Sequence, residues 1–319
     1  MAPEQKVLVA GASGYVGRYV AEAFKQRGYW VRALCRDADR LARTGPFDTP
    51  AVSTREDISG VTVDDVFVGE LTRPETLDGL MDDIDIVFSS VGISRQRDRL
   101  SFEDVDYGCN HTLIEMARAA SVSRFVYVSM QGADEARLAN LAITRAHERI
   151  VDELGDSGLE HRIVRPCGYF SDMGALMSMA RRGVVLLVGD GSNRMSPIHG
   201  RDLAEVCVDA AASDAGSADG GGIEAAGGIG AGGEIEAGGP QVMTQREAAE
   251  LAFEVLGRKQ RILVLPMGVA KAMARGAGHI SSQFGDLAEF IVVAGEIDGV
   301  GPPVGRRTLR SYFEELAST

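Results

Sequence analysis

Cysteine is scarce: the 319 residues hold only Cys35, Cys109, Cys167 and Cys207, and no two form a CxxC pair. That spacing argues against a disulfide framework or a zinc site and points to reduced thiols in a cytoplasm. No uninterrupted apolar run reaches the roughly 18 residues of a bilayer span, so no stable membrane insertion is expected. The N-terminal MAPEQKVLVAGAS lacks the basic segment and apolar run of a signal peptide. Basic residues are outnumbered, 33 against 46 acidic, for a net charge of -13. A field of that sign repels phosphate, which argues against broad contact with nucleic acid or anionic membrane, and no nucleic-acid partner is expected. Hydrolase signatures are missing too: there is no GxSxG elbow, and the five histidines include no HExxH.

What is present is an apolar chain, 45% hydrophobic with 39 glycines, long enough for one large α/β domain or for one domain plus a cap. The runs Lys6 to Ala10, Trp30 to Cys35, Asp65 to Gly69, Ile84 to Ser90, Arg124 to Ser129 and His161 to Pro166 read as strands. Helix-length segments lie between most of them: Tyr15 to Arg27, Pro74 to Met81, Phe102 to Ala120 and Leu138 to Gly155. Near-continuously apolar strands alternating with helices predict an α/β fold with a doubly wound parallel sheet. The predicted division is a dinucleotide-binding domain over residues 1–165 and a smaller C-terminal substrate or cap region over 166–319, interleaved with the first. Within the latter, helices are expected over Ser171 to Arg182 and Arg201 to Ala212, with a short apolar run, Val184 to Val188, between them. Residues 213–239 are glycine- and alanine-dominated and bury too little to offset the entropy of ordering. They read as a surface insertion, with a binding lid as the alternative and a short strand near Glu234 to Ala237. TQRE at Thr244 matches a capping box with Glu247, opening a helix Gln245 to Leu256. The tail from Pro266 carries a helical apolar segment with Met267, Val269, Ala270, Met273 and Ala274, read as a core or lid face. A membrane-surface or partner helix is its alternative. A last helix is expected near Leu309 to Leu316.

VLVAGASGYVGRYV supplies the strongest motif. Gly11 makes a tight turn, Gly14 lets the backbone approach a pyrophosphate, and Gly17 lets helix and strand pack closely. The helix N-terminus adds N–H groups and a positive dipole end. At the end of the second strand stand Arg36 and Asp37. An acidic side chain there would read the ribose of NAD, whereas arginine accommodates the 2′-phosphate of NADP. Arg36 stacked on adenine and paired to phosphate is favoured, with Ser13 and Arg40 as further phosphate contacts. NADP(H) is thus the expected cofactor, with NAD(H) as the alternative.

GASGYVG, VRALCRD, GELTRPETL, DIVFSSVG, FEDVDYGCN, RFVYVS and RPCGYF together resemble the atypical short-chain dehydrogenases/reductases of the NmrA-like, NAD(P)H-binding kind. The likeness spans about residues 5–210, and GGPQVMTQREAAELAFEVLGR continues it. The order of motifs is similar to that of divinyl chlorophyllide 8-vinyl reductases and of proteins labelled nucleoside-diphosphate-sugar epimerases. The resemblance implies a Rossmann-type fold in which Gly11, Ser13, Gly14, Tyr15, Val16 and Gly17 line the pyrophosphate. By the same likeness Glu70 and Leu71 flank the adenine, and Ser89, Ser90, Val91 and Gly92 lie beside the riboses. Asn110 follows on the next helix, as a catalytic group or as an amide satisfying a backbone kink.

Relatives place a Tyr-x-x-x-Lys pair on the helix after the fifth strand, where the tyrosine donates a proton and the lysine holds the ribose. Here that helix reads ARLANLAITRAHERIVDEL, with Ile143 at the tyrosine position and His147 at the lysine position. Ile143 cannot transfer a proton. His147 can bond a ribose or relay a proton, or be a satisfied helix histidine. Ser129, Tyr169 and Cys167 are the other candidates for the missing acid; Tyr169 reads equally as a lining aromatic, Cys167 as a small buried hydrophobe. His199 and Asp202 belong to the segment returning to the cofactor domain, Asp202 as a helix N-terminal carboxylate, and Arg194 is placed toward the substrate pocket. The expected function is an NADP(H)-dependent oxidoreductase passing hydride to an activated C=C or C=O of a small apolar substrate. The alternatives are a non-catalytic NADP(H) sensor and, against which Ile143 and Arg36 both argue, an NAD-dependent sugar-nucleotide epimerase or dehydratase. A homodimer is left open.

Overall fold

Strand β1 (Lys6–Ala10) shows how the first half is built. Its side chains alternate: Val7 and Val9 enter one core, Leu8 and Ala10 another, so both faces of the strand are covered. The computed structural model describes residues 5–42, 47–49, 52–54, 62–93, 100–133, 135–213, 233–280 and 282–318. After β1 come α1 (Tyr15–Gln26), β2 (Trp30–Cys35), the single turn α2 (Asp39–Ala42), the hairpin β3 (Phe47–Thr49) with β4 (Val52–Thr54), and β5 (Asp65–Val68). Then follow β6 (Ile86–Ser89), α3 (Gly108–Ala119), β7 (Arg124–Val128), α4 (Ala142–Asp156) and β8 (Glu160–Pro166).

The chain continues through α5 (Phe170–Arg181), β9 (Val185–Val188), β10 (Arg194–Met195), α6 (Gly200–Ala212), β11 (Glu234–Ala237), β12 (Met243–Thr244) and α7 (Gln245–Val255). It ends with β13 (Ile262–Leu265), α8 (Met267–Ile280), α9 (Ser282–Ala294) and α10 (Leu309–Ser318). Seven strands form one parallel sheet in the order β11-β8-β7-β6-β1-β2-β5. The fold is therefore the doubly wound, Rossmann-like α/β architecture expected from the strand pattern. The order reverses between β1 and β6, and a crevice at such a switch point, outside the carboxyl ends of the strands, is where ligands bind.

Helices α1 and α6 cover one face through Val20, Phe24, Leu203 and Cys207. On the other face α3 and α4 pack Leu113, Ile114, Ile150 and Leu154 against Phe125 and Tyr127. A separate core joins α5, β9, α7 and α10 around Phe170, Met177, Phe253 and Phe313. The short β11 is the expected strand after the glycine-rich stretch, and it adds an edge to the main sheet. Residues 214–232 of that stretch lie outside the described residues. The capping box is present: the Thr244 hydroxyl accepts from Glu247 N, and the Glu247 carboxylate accepts from Thr244 N at 2.7 Å.

Two boundaries differ from the pattern. Pro74 to Met81 is no α-helix: only a 3-10 turn, Pro74–Thr76, forms before a run of turns. Gly79 takes φ +78 and Asp83 φ +59, both left-handed, which breaks the helix while Leu77, Leu80 and Met81 still bury. Helix α4 begins at Ala142 rather than Leu138, because Leu141 is extended as its N-cap.

Candidate functional site

At the switch point the glycine motif closes as a turn against the neighbouring strand. Gly11 has φ +85, and a Cβ there would lie 3.0 Å from Ser90 Oγ, so the two strand ends nearly touch. Gly14 donates its N–H to Gly11 O at 2.8 Å and is the extended N-cap of α1. No side chain caps that helix and no acidic residue sits in its first turn. The first-turn N–H groups are therefore free of a competing carboxylate, as an anion site requires. A Cβ on Gly17 would stand 2.1 Å from Gly11 O, so only glycine fits there. Val16 is buried in the core and leaves only its backbone for a ligand. Tyr15 accepts from Gly200 N–H at 3.1 Å through its hydroxyl and stacks edge-on with Tyr19 and Tyr169, tying the turn to the start of α6. These features fit a pyrophosphate: a backbone cradle where a Cβ would intrude, at the positive end of a helix.

At the end of β2 the two candidate readers behave differently. The Asp37 carboxylate turns back to accept Asp39 N–H at 3.0 Å, opening α2. Arg36 and Arg40 are exposed. Behind them Arg18, nearly buried, bonds Arg40 O and reaches Ser13 O at 3.4 Å, so it joins the loop after β2 to the glycine turn. Burial and the neighbouring Arg40 lower its pKa. Sequence reasoning passed over Arg18 because a helix arginine on an otherwise polar register reads as a surface charge. Glu70 follows β5, its amide donating to Thr76 Oγ1 at 2.9 Å, and Leu71 packs on the α3/α4 core. The charges of Arg36, Glu70 and Asp106 all act on the buried Cys109 thiol, whose pKa rises to about 12, with burial the largest cause.

Beyond β6 the segment Ser89 to Gly92, expected beside the riboses, is braced from behind. Ser89 is fully buried and donates to Asn110 Oδ1 at 2.6 Å, while Asn110 Nδ2 donates to Val91 O and Asp106 O. Asn110 is thus a satisfied amide holding the loop. A π-helical turn, Glu103–Tyr107, opens α3 and aims the buried Asp106 at the same loop. Its carboxylate accepts from Ile93 N at 3.1 Å and stands 2.8 Å from where a Gly92 Cβ would be. His147 Nε2 lies 3.4 Å from Asp106 Oδ1, and His147 Nδ1 is 2.7 Å from the Tyr127 hydroxyl. Burial pushes that phenol well above its ordinary pKa, so Tyr127 keeps its proton. The Asp106 carboxylate only accepts, so a neutral His147 carries its proton on Nε2 and takes the Tyr127 O–H at Nδ1. Tyr127 and Asp106 were not singled out from sequence. The signal was the four-residue spacing of Asp106 and Asn110, which puts both on one helix face.

The three catalytic candidates fall into separate networks. His147 is occupied by Tyr127 and Asp106. Ser129 is buried, its hydroxyl accepting from Arg165 Nη1 at 3.2 Å; that guanidinium also pairs with Glu148 at 2.7 Å and Glu234 at 3.0 Å, linking β8, α4 and β11. Tyr169 packs its ring 5.9 Å from Tyr15, and burial raises its phenol above the usual range. Cys167 is a poor acid or nucleophile, since burial pushes its thiol to about 12. Asp202 sits in the first turn of α6 and also binds Arg306 N and Arg307 N, each at 2.8 Å, so it anchors the tail before α10. Arg194 pairs with Asp298, which lines a cavity of about 480 Å³ with Gln131, Gly132 and Gly299. A second cleft of about 880 Å³ shares Arg137 with it and is walled by Ala274, Val292 and Val293 beside Lys271 and Glu289. The loop after β7 borders both clefts, on the carboxyl side of the sheet. Among the described residues no cluster of His, Cys, Asp and Glu could hold a metal, and no helix is long and apolar enough to cross a membrane.

Comparison with known proteins agrees with this geometry. The profile of the NAD(P)H-binding family matches residues 11–214. The chain is 28% identical to divinyl chlorophyllide a 8-vinyl-reductase of rice over 98% of its own length and 78% of that protein. It is 30% identical to ceramide reductase of Caulobacter vibrioides, over 62% of this chain and 58% of the other. In structure it is similar to an NADPH-dependent quinone oxidoreductase of Escherichia coli complexed with NADPH, with TM-score 0.67, 16% identity, and coverage of 97% and 99%. At that identity the likeness shows the fold alone. The chain belongs to the NAD(P)H-binding family of atypical short-chain dehydrogenases/reductases.

Proposed function

We propose that the protein is an NADPH-dependent reductase that passes hydride to an activated C=C or C=O of a small substrate. The observation that carries the cofactor preference is the division of labour after β2. Asp37 accepts the Asp39 N–H that opens α2, and the same exposed loop carries two arginines, Arg36 and Arg40. Arginine pairs bidentately with a phosphate and stacks on an aromatic base, which suits a 2′-phosphate and not a bare ribose. A bound nicotinamide would supply the hydride. The protein's own part is to hold and orient: the glycine turn receives the pyrophosphate, and Ser90, Val91 and Gly92, braced by Asn110 and Asp106, border the riboses. His147 then acts through Asp106 as a positioning residue. With Ile143 in place of a proton donor, and His147 engaged by Tyr127 and Asp106, the reading favours a conjugated acceptor whose carbanion takes its proton from water. The mixed lining of the larger cleft suits a substrate with an apolar body and a polar end. That relatives include reductases of a vinyl group and of a ceramide supports the reaction class.

The test is a titration with NADPH and NADH by nicotinamide fluorescence, followed by NADPH oxidation with a panel of enones and quinones. NADPH should bind more tightly, and Arg36→Ala should remove about ten- to a hundredfold of its affinity while weakening NADH, which loses only the adenine contact, by much less. Equal or tighter NADH binding would overturn the preference. A second reading, an NADP(H)-responsive binding protein without turnover, is favoured by Ile143, which cannot transfer a proton, and by the hold of Tyr127 and Asp106 on His147. It predicts tight NADPH binding with no oxidation across the panel and a partner whose capture depends on the cofactor.

A further inference from the structure

The segment from Val255 to Gly285 contains no acidic residue, yet it carries Arg258, Lys259, Arg261, Lys271 and Arg275, in a chain whose net charge is -13. Three of these, Arg258, Lys259 and Arg261, stand at the edge of an apolar surface, while Lys271 turns away to pair with Glu296 at 2.7 Å. Strands β9 and β13 pair in parallel, with Leu186 opposite Leu263 and Val188 opposite Leu265. Alternation sends Val185 and Leu187 into the α5/α7/α10 core, so Val184, Leu186 and Val188 share the other face. The α8–α9 hairpin covers only the far end of that face: Val188 and Leu265 pack on Ala270, Ala274 and Val292. Leu186 and Leu263 stay 46% and 55% exposed. On α8 itself Val269 and Met273, one turn apart, are 47% and 62% exposed, and Ala272 and Gly276 complete the same stripe. Lys271 and Arg275 lie on the opposite side, in the cleft. The amino ends of both strands are basic and exposed: Arg182 precedes β9, and Arg258, Lys259 and Arg261 precede β13. Glu254, the last carboxylate before the segment, is paired with Arg310 at 2.9 Å.

We infer that this surface, the β9–β13 ribbon with the outer stripe of α8, docks the protein peripherally on an anionic lipid bilayer. Exposed apolar side chains rimmed by cations match what an interface of headgroups over acyl chains offers. A second copy of the same surface would set like charges against each other. The acidic remainder of the chain would be repelled by the same bilayer, which orients the molecule with this patch inward. The hairpin that bears the stripe also walls the larger cleft, so docking would bring that cleft next to the lipid surface. The inference rests on the surface alone and is independent of the proposed reaction.

Sedimentation of the full chain with vesicles of phosphatidylcholine alone, and of phosphatidylcholine with phosphatidylglycerol, tests it. Binding is expected on the anionic vesicles only and should weaken as salt rises. The variant Arg258→Gln/Lys259→Gln/Arg261→Gln should lower partitioning roughly a hundredfold, about fivefold per charge removed. Met273→Glu should lower it at least about tenfold. Both variants should keep the wild-type nicotinamide titration, since neither touches the crevice, and should remain folded. The triple variant also gives up the bond from Arg258 to Arg181 O at the end of α5, so its melting temperature should fall slightly. The inference is overturned if the wild type fails to sediment with anionic vesicles, or binds neutral ones equally. It is also overturned if light scattering shows a dimer that Met273→Glu dissociates, because the surface would then be a self-interface.

Discussion

Replacing Gly17 by alanine tests how the fold and the cofactor cradle depend on one close approach. The added Cβ would stand 2.1 Å from Gly11 O, 2.6 Å from Gly11 C and 3.0 Å from Ala12 Cα, all backbone atoms that no rotamer change can move. Real Cβ atoms essentially never come within 3.0 Å of such neighbours, so the helix must retreat by at least 3.0 − 2.1 = 0.9 Å. Retreat is resisted on the far side of α1, where Tyr19 lies against Gly200 so closely that a Cβ there would meet its ring at 2.4 Å. Overpacking of this kind costs about 1–3 kcal/mol, and the rigidity of both partners puts Gly17→Ala at about 3 kcal/mol or more. At about 2 °C per kcal/mol for a chain of this size, the melting temperature should fall by about 6 °C. Gly14→Ala is the contrast, because its Cβ would sit 3.1 Å from Gly11 O, at an exposed N-cap. It should cost about 1 kcal/mol in stability but place a methyl where a phosphate approaches, weakening NADPH at least about tenfold. Thermal melts by circular dichroism and nicotinamide fluorescence read the two effects. A Gly17→Ala protein that melts and titrates like the wild type would refute the geometry of the turn.

Other perturbations follow from the buried polar groups. His199 is held down to about pH 4 by burial and by Arg307, and its Nδ1 accepts from Arg201 N at 3.0 Å as the cap of α6. Its unfolded value is near 6.5, so the stability from keeping it neutral is complete above about pH 6.5 and is lost as pH falls toward 4. The loss is at most about 3 kcal/mol. His199→Asn keeps a cap acceptor and should flatten denaturant stability across that window; an unchanged slope would assign the acid sensitivity elsewhere. In the Tyr127–His147–Asp106 chain, Tyr127→Phe leaves His147 Nδ1 without its donor and should cost about 1–3 kcal/mol. NADPH affinity should change little, since Tyr127 lies in the core. Asp106→Ala frees Ile93 N and the Gly92 loop, and should weaken NADPH as well as stability. If both variants lost cofactor affinity equally, Tyr127 would be acting on the ligand and not on the core.

The alternation of apolar strands, the glycine spacing and the capping box at Thr244 are local properties. Each follows from what a few neighbouring residues can do, and for that reason the sheet and the cradle were legible before any contact was known. The order β5-β2-β1-β6, by contrast, came only with the tertiary structure, and it puts Gly11 beside the end of β6. Where a break depended on backbone strain, as at Gly79 and Asp83, the periodicity still pointed to a helix because Leu77, Leu80 and Met81 bury with or without one. The roles of His147 and Ser129 could not be read from spacing. A histidine at a lysine position is open to a ribose or to a protein partner, and only tertiary structure brought Tyr127 and Asp106 to its two nitrogens from other elements. Arg165, 36 residues from Ser129, likewise occupies that hydroxyl through the pairing of β7 with β8. Sequence determines which groups exist and the local shapes they prefer; which polar groups are left for a ligand depends on non-local contacts, because each buried donor and acceptor takes the partner that the packed fold supplies.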